Sequence, residues 1–150
     1  MIAGSAGTRT VTADEFFLDY FTTALAEDER CKSLVVDSLD WIEPLAWDHV
    51  CALGDEKGRK MKNIEAFGYG KGYVAALNEW RGLLAALTRA GKRGKNVLLV
   101  AHAHRKVGKN PTGEDFEQHQ IKLHEKAAGL IREWVHIVGF AELDIATVTD

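Results

Sequence analysis

Residues able to do chemistry collect at two places in this chain. The first is Asp37–Ser38, which closes the apolar run "SLVV" at 33–36. A carboxylate fixed at the end of a buried strand is a hard oxygen ligand, able to orient a magnesium ion or its water beside a nucleotide. An aspartate also ends many strands at a plain turn. The second is "HAH" at 102–104, which closes the apolar run "NVLLVA". His102 and His104, with His119 and His124 downstream, are zinc-ligand types, although no cysteine or carboxylate completes a compact set. The other readings are a polar strand end with partly exposed imidazoles, or His102 alone sensing a ligand through a hydrogen bond.

Three further stretches carry weaker signals. "YGKGY" at 69–73 puts glycines and a lysine before a helix N-terminus, where backbone N–H groups could meet an anion or simply lead into the helix. "AGKRGKN" at 90–96 precedes a strand and reads as a helix C-cap and turn. Arg105, Lys106 and Lys109 could touch a phosphate backbone, or form a solvated loop. Ser38 lacks the flanking glycines of a nucleophile elbow. The phosphate-binding pattern G-x-x-x-x-G-K-S/T occurs nowhere in the 150 residues.

The elements that must position these groups follow from periodicity. Residues 1–10 read as a flexible tail, and 11–150 as the domain. Thr12 and Glu15 have capping-box spacing, and Phe17, Phe21 and Leu25 recur every four residues, which predicts a helix there. "SLVV" is a buried strand. Asp40 caps a second helix with Ile42, Leu45, Ala46, His49 and Leu53 on its apolar stripe, Pro44 being tolerated near the first turn. Residues 54–72 form a long loop. Tyr73, Ala76, Leu77, Trp80, Leu83, Leu84 and Leu87 follow a helical stripe. "NVLLVAHA" (96–103) is a strand, 104–119 a second long loop, and "QIKLH" (120–124) a short strand. Ala127, Leu130, Ile131 and Trp134 mark a helix, and "VHIVGFAEL" (135–143) a third apolar strand. Trp41, Trp80 and Trp134 fit helix stripes and are expected in the core. Strands alternating with helices, each strand a continuous apolar run, predict an α/β sandwich with a mainly parallel sheet. Ligands of such sheets bind outside the carboxyl ends of the strands, where Asp37, Ser38, His102 and His104 fall.

The bulk properties set limits. A net charge of −3 with 46% hydrophobic residues fits a soluble domain and does not suggest a whole-surface nucleic-acid binder, though it leaves room for a local basic loop. Cys31 and Cys51 form no disulfide framework, so a reduced, cytoplasmic setting is expected. No segment approaches the roughly 18 apolar residues needed to span a bilayer, and "MIAGSAGTRT" lacks the features of a signal peptide.

In order along the chain, "CKSLVVDSLDWIEPLAWDHVC", "YGKGYVAALNEWRGLLAAL", "GKNVLLVAHAHRK" and "QIKLHEKAAGLIREWV" together resemble the phage-encoded RecA-like nucleotide-binding proteins of the AAA ATPase group, including the Sak-type recombination ATPases. The likeness covers roughly residues 11–143. It implies a three-layer RecA-like P-loop sandwich that binds ATP with magnesium and is linked to phage DNA recombination and single-strand annealing in a bacterial host cell. On that resemblance Asp37 is the Walker B aspartate, holding magnesium through water, with Ser38 beside it. His102 falls where RecA-like proteins keep a polar sensor of the γ-phosphate. Lys122 and Lys126 lie where related proteins reach a neighbouring subunit's nucleotide, which implies a homo-oligomer, and the family's link to annealing implies single-stranded DNA as a partner.

The departures shape the expectation. The family's first strand, its P-loop and a second acid-ended strand belong upstream of residue 11 and are not found, so the chain resembles the back half of the domain. His136 stands where an aspartate is expected after "EWV". A Walker B carboxylate without the phosphate cradle is expected to bind nucleotide weakly or not at all, leaving a truncated, ATPase-deficient domain. The alternative is a non-catalytic module that self-associates or binds a partner through an open sheet edge.

Overall fold

The computed structural model describes residues 29–142, together with two short strands, β1 (Ala3–Gly4) and β2 (Gly7–Thr8), which pair antiparallel. The helix expected around Phe17 and Phe21 lies outside the described residues. The main elements follow as β3 (Ser33–Asp37), α1 (Leu39–Leu53), a 3-10 turn at Ile64–Phe67, α2 (Lys71–Lys92), β4 (Asn96–Val100), β5 (Ala103–Gly108), β6 (Phe116–Ile121) and α3 (Glu125–Trp134). The fold is mixed α/β, with a small parallel sheet covered by helices on one face. β3 and β4 pair in parallel from Ser33↔Asn96 to Asp37↔Val100, with both helices of the connection between them.

β3 alternates strictly, with Leu34 and Val36 buried and Ser33, Val35 and Asp37 exposed. β4 repeats the pattern, Val97 and Leu99 packing against the core. A run of apolar residues predicted coverage of both faces. Instead one face meets the helices, while Val35 is 53% and Leu98 57% exposed on the other.

α2 is the spine. Over its 22 residues Ala76, Trp80, Leu83, Leu84, Leu87 and Ala90 turn one stripe inward, as the 3.6-residue period requires. All but Ala76 meet Leu34 and Val36 of β3, Leu39, Ile42 and Ala46 of α1, and Ala127 and Ile131 of α3 in one core. Each large side chain buried there contributes roughly 1.5–3 kcal/mol. The helix stops at Arg93–Gly94, the turn read from "AGKRGKN", where Gly94 takes φ +82°. A smaller cluster of Val50, Cys51, Ile64 and Ala76 closes the far end. There Gly72 is required by packing, because a Cβ at that position would run into the Ile64 carbonyl. Cys31 and Cys51 are free thiols.

Several expectations change. Pro44 sits in the second turn of α1, beyond the amides that lack helical partners, so it removes one backbone bond. Trp41 is 73% exposed, whereas Trp80 is 1% exposed and Trp134 packs at the edge of the core. Residues 104–119 are not a loop: β5 and β6 form an antiparallel hairpin from Ala103↔Ile121 to Gly108↔Phe116. Most of its residues are exposed on both faces, so the sequence carries no inside–outside alternation to betray it. The strand expected over 96–103 stops at Val100 and restarts at Ala103, and "QIKLH" supplies only the end of β6. The third strand expected at 135–143 is absent over 135–142, where Ile137 is 86% exposed. An apolar run makes a strand only where a neighbour completes its hydrogen-bond ladder, and no described strand pairs with it. The described sheets are therefore a parallel pair and two antiparallel pairs, not one mainly parallel sheet.

Candidate functional site

The parallel register puts the ends of β3 and β4 side by side. Asp37 pairs with Val100, and His102 follows two residues later. The Asp37 carboxylate is exposed at this edge, and the Asp37–Ser38 peptide is cis. Ser38 takes the N-cap position of α1 with extended backbone, and its carbonyl accepts from the Trp41 and Ile42 amides. Its side chain caps nothing. It is buried, and its hydroxyl donates to Asp40 Oδ1 at 2.7 Å.

Asp40 is the hub. Besides the Ser38 hydroxyl it accepts the His102 amide at 3.2 Å, and its two oxygens lie 3.1 and 2.9 Å from His102 Nδ1. Burial by itself would raise the Asp40 carboxyl. Hydrogen bonds from the Ser38 hydroxyl and from the His102 amide and ring outweigh it and hold the group down to about 2.

One turn further along the same face of α1 lies Glu43, buried at 6% exposure. Both of its oxygens accept the His124 amide, at 2.9 and 3.0 Å. Burial pushes its carboxyl up and the nearby Asp40 charge adds to this, against the lowering effect of the His124 amide. His124 is also the N-cap of α3, and its ring stacks on Tyr73 at 4.1 Å. The Lys122 amide donates to the His102 carbonyl at 2.8 Å. Two carboxylates three residues apart thus grip both roots of the β5–β6 hairpin. Asp40 holds the strand entering it, and Glu43 the chain leaving it. A cleft of about 420 Å³ opens between them, lined by Asp40, Glu43, Pro44, His104, Lys122 and Leu123.

The residues singled out by sequence divide accordingly. Asp37, Ser38 and His102 lie at one edge, where Asp40 joins Ser38 to His102. Lys122 and His104 line the adjoining cleft, and Lys126 is exposed in the first turn of α3. The four histidines do not converge. His102 holds Asp40, His104 faces the cleft, His119 packs on Phe140 at 4.5 Å and His124 on Tyr73. Among the described residues no three His, Cys, Asp or Glu side chains gather as a metal-ligand set. In the hairpin, Arg105 pairs with Glu117 at 3.6 Å and Lys109 with Asp115 at 3.4 Å, so part of its basic charge is neutralised locally. Asp40 as a ligand-edge hub and Glu43 as a buried acceptor were missed. The available signal was acidic residues recurring every three positions from the strand end: Asp37, Asp40, Glu43.

In open α/β sheets ligands bind outside the carboxyl ends of the strands, which is where the exposed Asp37 carboxylate and the anchored His102 imidazole lie. A family model described as an AAA domain matches residues 2–149, and the chain belongs to that family. AAA domains are nucleotide-binding, ATPase-type domains of the P-loop class, and their nucleotide binds with magnesium. No curated protein and no solved structure matches the chain. Among the described residues no helix is long and apolar enough to cross a membrane.

Proposed function

We propose that this chain is a RecA-like member of the phage recombination ATPases, with the three-layer sandwich of that group, working on single-stranded DNA in the cytoplasm of a bacterial host. The observation that carries the reading is the placement of Asp37 and His102, 65 positions apart in sequence, at the same end of the parallel pair. In this reading Asp37 offers a hard, exposed carboxylate that holds the water shell of a magnesium ion. Magnesium bound with nucleotide neutralises charge on the terminal phosphates. His102 contacts the γ-phosphate, and Ser38 acts from beneath by holding Asp40. Lys122 and Lys126 supply positive charge to a phosphate in their own or an adjacent subunit. The donor types fit the ligand. The strong phosphate cradle of this class is a G-x-x-x-x-G-K-S/T loop, which the 150 residues do not contain. The chain is therefore expected to bind Mg–ATP weakly and not to hydrolyse it.

The test is titration of the purified chain with Mg–ATP, beside Asp37→Ala and His102→Gln. Weak, magnesium-dependent binding that drops about tenfold or more in Asp37→Ala supports the reading. Binding indifferent to both substitutions defeats it, and hydrolysis abolished by Asp37→Ala defeats the claim of deficiency.

A second reading is favoured by one specific observation, the exposure of Val35 and Leu98 on the open face of β3–β4. It makes the chain a non-catalytic module that self-associates through that sheet. Light scattering across a concentration series decides it, a strict monomer counting against it.

A further inference from the structure

His102 and Asp40 form an asymmetric pair. The Asp40 side chain is 8% exposed and the His102 side chain 64% exposed, so a buried anchor holds an open ring. The anchor has little freedom to rotate, because the Ser38 hydroxyl and the His102 amide occupy the same carboxylate. That carboxyl stays ionised at any pH well above about 2 and can only accept hydrogen bonds. The ring nitrogen facing it, Nδ1, must then carry a proton, since two acceptors 2.9 Å apart would repel.

We propose that Asp40 is a positioning residue for His102, fixing the ring with its proton on Nδ1 and presenting Nε2 to the ligand at the carboxyl end of β3–β4. The neutral ring then offers an acceptor at Nε2, suited to a water molecule. Once protonated it offers a donor to an anionic phosphoryl oxygen, with its positive charge set between that oxygen and Asp40. The other charged or titratable groups around this edge are Asp37 at the end of β3, Glu43 on α1, His104 on β5 and Lys122 beyond β6. Only the identity of the ligand rests on the nucleotide reading; the position and tautomer of the ring do not.

The experiment labels the histidines of the full chain with ¹⁵N and reads each ring by long-range ¹H–¹⁵N correlation without nucleotide, His102→Gln supplying the assignment. The expected result at alkaline pH is a protonated, pyrrole-type Nδ1 and a bare, pyridine-type Nε2 for His102, the two signals exchanging positions in Asp40→Asn. A wild-type ring protonated on Nε2, or a pattern unchanged in a folded Asp40→Asn, overturns the proposal. If Asp40→Asn does not fold, the wild-type spectrum alone still decides. Mg–ATP binding indifferent to Asp37→Ala and His102→Gln would overturn the nucleotide reading and leave this one standing, whereas the wrong tautomer would do the reverse.

Discussion

The parallel pair β3–β4 and the antiparallel pair β5–β6 are similar in length, five and six residues per strand, but different forces hold them. β3–β4 is fixed by apolar burial: Leu34 and Val36 press on a core whose centre is Trp80. In β5–β6 only Gly108 is fully buried, and the hairpin is tied at its roots by the carboxylates of Asp40 and Glu43. Burial is a non-directional force shared over many neighbours. The clamps depend on a few directed bonds in which each lost partner strands another polar group. The two regions should therefore fail in different ways.

The largest effect is expected at the shared support. Trp80→Ala should cost about 3–5 kcal/mol and remove both pairs together, seen as one lower urea midpoint for every amide; survival of β3–β4 alone would break the comparison. Asp40→Ala should cost about 1–3 kcal/mol by stranding the Ser38 hydroxyl and the His102 amide. Hydrogen exchange should then quicken across 103–121 while 33–37 stays protected.

The Asp40 carboxyl is held below its ordinary range, so its contribution is present above that range and lost as pH falls toward about 2. It amounts to about 1 kcal/mol after allowing for the open side of the site. Acid titration of stability should show that loss in the wild type and not in Asp40→Asn.

Glu43 has the opposite sign. Its carboxyl is raised, so its proton-linked stability is present at low pH and lost as pH rises through the raised value. Glu43→Gln keeps an acceptor for His124 and should be the more stable form at neutral pH by up to about 1 kcal/mol, the gap closing on acidification. The smallest effect belongs to the hairpin surface. Arg105 and Glu117 are 71% and 68% exposed, so Arg105→Ala should change stability by less than about 0.5 kcal/mol in a urea melt.

The same division explains what could be read without coordinates. α2 was legible because a buried stripe repeats every 3.6 residues, and β3 because its apolar run ends sharply at Asp37. The hairpin was not legible, because strands exposed on both faces leave no alternation. Residues 135–142 misled in the opposite direction, being apolar without a partner strand. Trp41 fitted its helix stripe yet faces solvent, since a stripe states which residues share a face and not whether that face is covered.

By itself, the sequence determined the helices of the core, the carboxyl-terminal placement of Asp37 and His102, and membership of a nucleotide-binding class. Those features depend on residue type and local spacing. Only the tertiary structure decided that Asp40 joins the two strand ends, that Glu43 secures the far root of a hairpin, and that Ser38 faces inward. These are contacts between residues 62 and 81 positions apart, or side-chain directions set by them. No local period encodes which polar groups will meet once the chain has packed.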